Sequence, residues 1–171
     1  DLGRLALERG LSLHVDGCVG GFMLPFLRAL GEEVPPFDLS VPGVTSLSAD
    51  LHKYGFTAKG ASVILYKDRA LRKHQFFGYA DWPGGLFASP TLLGTRPGGA
   101  IAAAWAAMVS TGRDGYLRRA EAIMKTTRAF QRGIEAIPGL KILGRPTMSV
   151  FAFGSDELDV FAIADLMGAR G

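Results

Sequence analysis

Residues 44–55 read Val-Thr-Ser-Leu-Ser-Ala-Asp-Leu-His-Lys-Tyr-Gly. The first five alternate like a strand, and Asp50, His52 and Lys53 follow directly. A lysine that forms Schiff bases needs partial desolvation so that its amine can be neutral, and the apolar neighbours of Lys53 fit that need. A loop lysine in solvent is the alternative interpretation and the commoner fate of lysine. The stretch therefore predicts a strand that ends at a candidate nucleophile.

A second strand is predicted from Leu11 to Val15, and it ends at Asp16 and a glycine-rich loop. Ligands of open α/β sheets bind at the carboxyl ends of strands, so an α/β fold would place Asp16 at a binding edge. A carboxylate there can keep a ring nitrogen of a bound ligand protonated. An aspartate that bonds its own turn backbone is the alternative interpretation and the commoner role of an Asp-Gly pair.

Other polar residues near Lys53 are candidates for holding an anion. His52 and the hydroxyls of Ser46 and Ser48 can donate to a phosphate, although such groups often only satisfy nearby backbone atoms. Lys59 would add positive charge beside an anionic ligand, and we expect it to lower the pKa of Lys53. A solvated loop lysine is the alternative for Lys59.

The rest of the chain predicts an α/β part followed by a small α+β part. A clear strand runs from Ala61 to Tyr66, and Lys67 to Gly99 is predicted to be irregular, with its aromatic residues packed in a core or at a channel or interface. The later predicted elements are helices at 100–110 and 116–137 separated by a break at 112–115, strands at 140–143 and 148–153, and a helix at 159–167. We place the domain boundary between residues 111 and 112.

Composition narrows the class of protein. The 171 residues are 48% hydrophobic and 20% charged with a net charge of +3, which is typical of a globular protein rather than a nucleic-acid binder. A single cysteine gives no internal disulfide, and no apolar run is long enough to span a bilayer. The N-terminus has no signal-peptide pattern. These features favour a cytoplasmic protein, and both ends suggest a fragment of a longer enzyme.

Four stretches, in this order, resemble the pyridoxal-phosphate-dependent decarboxylase family: His14–Phe22, Gly43–Gly55, Lys59–Tyr66 and Gly94–Gly98. The Ser-Ala-Asp-Leu-His-Lys-Tyr-Gly run points within the family to its carbon–carbon lyase branch. The resemblance implies fold type I, the aspartate-aminotransferase-like transferase fold, present here as a partial large domain (1–111) and a partial small α+β domain (112–171).

The resemblance also implies the cofactor and the roles of the site residues. Lys53 would carry pyridoxal 5'-phosphate as a Schiff base, Asp16 would pair with the pyridine nitrogen, and His52 would lie at the cofactor. Ser48 is a candidate for binding the cofactor through its hydroxyl, as described above. Lys59 would assist substrate binding or proton movement. The 94–98 segment would approach the active site of the second subunit of a homodimer with shared active sites.

The expected reaction is cleavage of a phosphorylated sphingoid base to a fatty aldehyde and phosphoethanolamine, with amino-acid decarboxylation as the second choice. A non-catalytic relative and a metal-dependent hydrolase are further alternatives. The metal alternative would use His14, Asp16, Asp50 and His52, because imidazole and carboxylate suit zinc or iron. It leaves the neighbouring lysines unexplained, and we expect no metal.

Overall fold

A computed structural model describes residues 2–170. The chain forms two compact units, one comprising the residues up to Phe26 with Pro35–Arg113, the other Leu27–Val34 with the residues from Asp114 onward. The elements, in chain order, are α1 (Leu2–Glu8), β1 (Leu13–Asp16), α2 (Gly20–Ala29), β2 (Val44–Asp50), β3 (Ser62–Tyr66), α3 (Arg69–Arg72), β4 (Phe77–Tyr79), β5 (Phe87–Ser89), α4 (Gly98–Glu135), β6 (Lys141–Leu143), β7 (Ala152–Gly154) and α5 (Val160–Gly168).

The main sheet of the first unit has the order β1-β2-β3. β1 runs parallel to β2, so both strands end at the same edge, and Asp16 is the register partner of Ser48. β3 runs antiparallel to β2 and begins beside its end, where Ser62 faces Asp50. This topology brings the residues that follow β1 and β2 to one place on the sheet.

Two glycines, which lack a Cβ, let helix α1 approach the start of β2. Gly43, with φ of +90°, lies so close to Gly3 that a Cβ on Gly43 would fall 2.2 Å from the Gly3 carbonyl oxygen. Val44, Leu47 and Ala49 of β2 are buried, as expected for the strand that lies between two others. The central strand is therefore fixed on both sides, and its last residues are well positioned.

The interval 67–99 is more regular than predicted. Helix α3, a 3₁₀ turn at Lys73–Gln75 and the β4–β5 hairpin lie within it. Phe77 and Phe87 pair across the hairpin with ring centroids 6.2 Å apart, yet both remain about half exposed. The predicted core packing of these two aromatics was therefore wrong within residues 2–170, where both rings remain accessible to solvent.

The predicted break between the two long helices is a single residue. Gly112 alone leaves the helical conformation, with φ of 59° and ψ of 173°, and helical residues continue on both sides. The second unit then contains the β6–β7 hairpin and α5, whose N-cap Asp159 accepts hydrogen bonds from the amides of Phe161 and Ala162 at 3.0 Å.

The strand β7 is shorter than predicted, and helix α5 lies one residue later than predicted. The boundary at 111/112 stays a prediction for the whole protein's domains. Within residues 2–170 no helix combines the length and the apolar character needed to cross a bilayer.

Candidate active site at the ends of two parallel strands

The parallel register of β1 and β2 builds a chain of hydrogen bonds along one face. His14 Nδ1 lies 2.8 Å from Ser46 Oγ, and His14 Nε2 lies 3.3 Å from Ser48 Oγ. The Ser48 hydroxyl in turn donates to Asp16 Oδ1 at 3.3 Å. These contacts follow from the two-residue period of strands, which puts alternate side chains of both strands on the same face.

The donor and acceptor of each of these hydrogen bonds follow from the number of protons that the side chains carry. Ser48 has one hydroxyl proton, and it goes to Asp16, so the ring nitrogen Nε2 of His14 must donate to Ser48. In a neutral imidazole the other nitrogen then accepts, and Ser46 donates to Nδ1. In this series of hydrogen bonds Ser46 therefore donates to His14, His14 donates to Ser48, and Ser48 donates to the Asp16 carboxylate.

Asp16 is held as an anion. The backbone amide of Cys18 donates to its Oδ1 at 3.0 Å. This bond, followed by the Cys18 thiol and the Ser48 hydroxyl, holds the pKa of the exposed Asp16 carboxyl below its ordinary value of 3.8, and the charge of Lys53 acts in the same direction. The carboxylate therefore remains ionised throughout the neutral range.

Two glycines allow the turn after Asp16 to pass beside the end of β2. A Cβ on Gly17 would lie 2.6 Å from the Ser48 carbonyl oxygen, and one on Gly21 would lie 3.1 Å from the same atom. The Cys18 carbonyl accepts from the Asp50 amide at 3.3 Å, which ties the turn to β2. The close approach of these backbones is what places Asp16 near the residues that follow β2.

We predict that Gly17→Ala lowers the free energy of unfolding by about 1–3 kcal/mol, because the added methyl group meets a backbone carbonyl that cannot rotate away. Gly133→Ala is the matched control: it lies in helix α4 with open space around its Cβ, and the change should be neutral or stabilising by about 0.5–1 kcal/mol. Urea denaturation of both variants measures the difference. Equal stability of the two variants would contradict the close approach at Gly17.

Lys53 lies in the turn that follows β2, with its amine on Asp50. The distance from Lys53 Nζ to Asp50 Oδ2 is 2.9 Å, and the Lys53 side chain is 37% exposed. The other carboxylate oxygen, Asp50 Oδ1, accepts from the Ser62 hydroxyl at 2.6 Å. Each oxygen of Asp50 therefore has a partner: Lys53 in the turn contacts Oδ2, and Ser62 of β3 donates to Oδ1.

The expected lowering of the Lys53 pKa was wrong. The Asp50 carboxylate, and after it Cys18, raise the pKa of Lys53 above its ordinary value of 10.5. The nearest charge to the amine is a carboxylate, whereas Lys59 is not among the groups that act on it. In this arrangement the amine is an ammonium ion at neutral pH, and it must lose a proton before it can act as a nucleophile.

His52 and Lys59 take different places. His52 Nδ1 lies 3.0 Å from the Ala61 carbonyl oxygen and must donate to it, and Nε2 lies 3.7 Å from Asp50 Oδ2. The ring is therefore turned towards the Asp50 group. Lys59 is exposed on the loop before β3, and within residues 2–170 it makes no ion pair. The roles of both residues at a cofactor stay predictions.

The four residues of the metal alternative fall into two groups: His14 and Asp16 are joined by hydrogen bonds through Ser48, and His52 Nε2 lies 3.7 Å from Asp50 Oδ2. No three histidine, cysteine, aspartate or glutamate side chains of the described part of the chain are grouped as metal ligands would be. The geometry thus gives the metal alternative no support. Ser62 was missed from the sequence, and only the strand register could have identified it.

An apolar groove of about 580 Å³ lies beside the Lys53 turn, within the first unit. It is lined on one side by Leu51, Ala61 and Val63 and on the other by Ile101 and Trp105 of α4. The segment Gly94-Thr-Arg-Pro-Gly98, expected to approach the active site of a second subunit, contributes Arg96 to its wall. The groove therefore combines an apolar wall with one cation.

Comparison with known proteins finds similar proteins that are named as lyases and decarboxylases. The chain is 54% identical over 171 residues to a sphingosine-1-phosphate lyase of Oryza sativa, covering all of this chain and 32% of the rice protein. An L-aspartate decarboxylase of Thermococcus kodakarensis is 36% identical over 158 residues, covering 92% of this chain and 41% of the relative. A solved sphingosine-1-phosphate lyase of Burkholderia pseudomallei superposes with a TM-score of 0.92 at 50% identity, over 99% of this chain and 38% of that one. No family model matches the chain.

These relatives define the fold as the aspartate-aminotransferase-like fold of pyridoxal-phosphate-dependent proteins, of which this chain is a part. Over its 171 residues the chain belongs to the pyridoxal-phosphate-dependent decarboxylase family, alongside the proteins named sphingosine-1-phosphate lyase. It spans about a third of the length of the lyases it matches. The predictions of family and fold class are confirmed.

Proposed function

We propose that the whole protein binds pyridoxal 5'-phosphate and cleaves a carbon–carbon bond of a phosphorylated sphingoid base, giving a fatty aldehyde and phosphoethanolamine. The observation that carries the proposal is the placement of the Asp16 carboxylate and the Lys53 amine at one edge of the sheet, after two parallel strands. The relatives at 54% and 50% identity support the reaction class by their names.

The residues present fit this cofactor. Asp16 is an exposed anion whose position is fixed by an amide and a hydroxyl, which suits a partner that carries a proton on a ring nitrogen. The Lys53 amine is accessible and would hold the cofactor covalently. Bound in this way, the cofactor supplies an electron sink for a bond broken at the substrate's alpha carbon.

The chain's own residues would perform three tasks around that chemistry. Asp16, supported by Ser48, would keep the ring nitrogen protonated, and His14 would support Ser48 in turn. Lys53 Nζ would accept and return a proton when it is not attached to the cofactor. His52, and Lys59 on the loop before β3, are proposed to meet the anionic parts of cofactor and substrate.

The groove beside the Lys53 turn supports a substrate with an alkyl chain. Its aliphatic and aromatic walls favour burial of methylene groups, and Arg96 offers a charge for a phosphate. An amino acid such as aspartate would leave this apolar surface unused. The groove therefore favours the lyase over the decarboxylase.

We further propose a cytoplasmic homodimer with shared active sites. Ile101, Trp105 and Val109 recur every four residues along α4 and are each at least 60% exposed, and the β4–β5 hairpin exposes Phe77 and Phe87. Apolar surface of this extent supports burial against another chain. Sedimentation of the full-length protein measures the oligomeric state, and a monomer that is active would contradict shared sites.

The reaction is tested on the protein expressed from its complete gene and saturated with pyridoxal phosphate. Sphinganine 1-phosphate should yield a long-chain aldehyde, whereas L-aspartate and L-glutamate should release no carbon dioxide above background. Carbon dioxide release without aldehyde would establish the decarboxylase instead. Neither product from a cofactor-loaded enzyme would support the non-catalytic relative.

A further inference from the structure

Asp50 occupies a central place in the site, although the proposed reaction assigns it no role. Its side chain is only 16% exposed, and its two oxygens have different partners. Oδ2 contacts Lys53 Nζ at 2.9 Å, while Oδ1 accepts from Ser62 Oγ at 2.6 Å. Because Ser62 is the register partner of Asp50 in β3, the strand pair fixes the carboxylate that meets the lysine.

We propose that Asp50 is a positioning residue for Lys53, and that it fixes the ε-amine at the edge of the sheet and keeps its proton in place until the cofactor arrives. The proposal rests on the proposed function, since it concerns the lysine that would hold pyridoxal phosphate. It assigns Asp50 no contact with substrate or cofactor. Asp50 acts through Lys53, and Ser62 acts through Asp50.

The carboxylates and the thiol around the amine favour its protonated form. Asp50 lies at contact distance, the Cys18 thiol in the turn after β1 acts in the same direction, and the charges of Asp16 and Lys53 attract each other. His52 shares Asp50 Oδ2 at 3.7 Å and competes with Lys53 for it when its ring is protonated. The pKa of Asp50 is itself lowered, first by the Ser62 hydroxyl and then by Lys53, so Asp50 is a poor proton acceptor and remains an anion.

This arrangement restricts when Lys53 can react. A long, flexible lysine side chain samples many rotamers, and an ion pair to a carboxylate held by a second strand limits that freedom. The amine is then ready at one position but is mostly protonated. Neutralising Asp50 should therefore leave Lys53 more reactive towards a general amine reagent while its position becomes less defined.

The test measures the reactivity of each lysine without any catalysis. The cofactor-free, full-length protein is labelled with trace acetic anhydride across a range of pH, and the peptides are quantified by mass spectrometry. In the wild type, Lys53 should reach half-maximal labelling at a higher pH than Lys59. In Asp50→Asn the Lys53 midpoint should fall by about one pH unit, giving about tenfold more labelling at pH 8.

Asp50→Glu should restore at least half of the shift, because it returns the charge. Asp156→Asn removes the carboxylate that pairs with Lys141 in the second unit, and it should leave the Lys53 midpoint unchanged. A wild-type Lys53 that labels at the same pH as Lys59 would overturn the proposal even if Asp50→Asn fails to fold. An unchanged midpoint in folded Asp50→Asn would overturn it as well.

Borohydride reduction of the cofactor-loaded protein separates this proposal from the proposed function. A pyridoxyl group on Lys53, together with an unchanged midpoint in Asp50→Asn, removes the role of Asp50 and leaves the proposed function standing. A Lys53 that carries no pyridoxyl group removes the proposed function, and with it the reason for positioning the amine.

Discussion

Replacing Lys53 by alanine is expected to abolish covalent attachment of pyridoxal phosphate and to lower kcat/KM for aldehyde release by roughly a thousandfold or more. The amine is the group that attaches, and within the turn after β2 no second amine takes its place, since Lys59 lies on the following loop. Borohydride reduction followed by peptide mapping shows the attachment, and an aldehyde assay shows the rate.

Lys67→Ala is the matched control for this change. Lys67 follows β3 at its far end, away from Asp50, and is exposed. We expect it to retain the pyridoxyl label on Lys53 and full activity. A pyridoxyl label that persists in Lys53→Ala, or a loss of label in Lys67→Ala, would contradict the assignment of Lys53.

Asp16→Asn should retain the cofactor on Lys53 but lower kcat by on the order of a hundredfold, because a neutral amide cannot hold a proton on the ring nitrogen. The amide oxygen of an asparagine can still accept from the Cys18 amide, so the turn should keep its shape. The loss should therefore appear in kcat with little change in the free energy of unfolding, and both are measured on the same preparation.

Asp38→Asn makes the same chemical change in a similar turn outside the site. Asp38 Oδ1 accepts from the Ser40 amide at 2.9 Å, as Asp16 accepts from Cys18. Activity should not change. The pH profile gives a second check: the pKa of Asp16 lies below 3.8, so its charge is complete above about pH 5 and is lost only as the pH falls through that lowered pKa. An acid limb above pH 5 that disappears in Asp16→Asn would contradict this.

The sequence alone was enough to predict the strands that end at the site. The alternation in Val44–Ser48, the apolar run before Asp16 and the Ala61–Tyr66 strand all appear, with ends shifted by one or two residues. These elements are predictable because their periodicity reflects burial in a sheet. The family resemblance then supplied the lysine and aspartate, whose identities depend on motif order rather than on spacing alone.

The contacts of the site depend on the register between paired strands, which cannot be derived from the sequence alone. Ser62 lies twelve residues after Asp50, and only the antiparallel pairing of β2 with β3 brings the two together. The raised pKa of Lys53 was missed for the same reason, since the effective neighbour proved to be Asp50 and not Lys59. The β4–β5 hairpin was missed because its strands are three residues long and lie among glycines and prolines.

The pairing of β2 with β3 also determines which residue of β3 lies opposite Asp50. Changing the length of the connection at residues 51–61 alters the turn but preserves the alignment of Asp50 with Ser62. Inserting one residue inside β3, with the pairing of the residues after the insertion kept, would instead place Val63 opposite Asp50 and move Ser62 out of register. Insertions in the connection and insertions in the strand should therefore have different consequences. An insertion in the connection changes the turn that carries Lys53, whereas an insertion in β3 breaks the contact between Ser62 and Asp50.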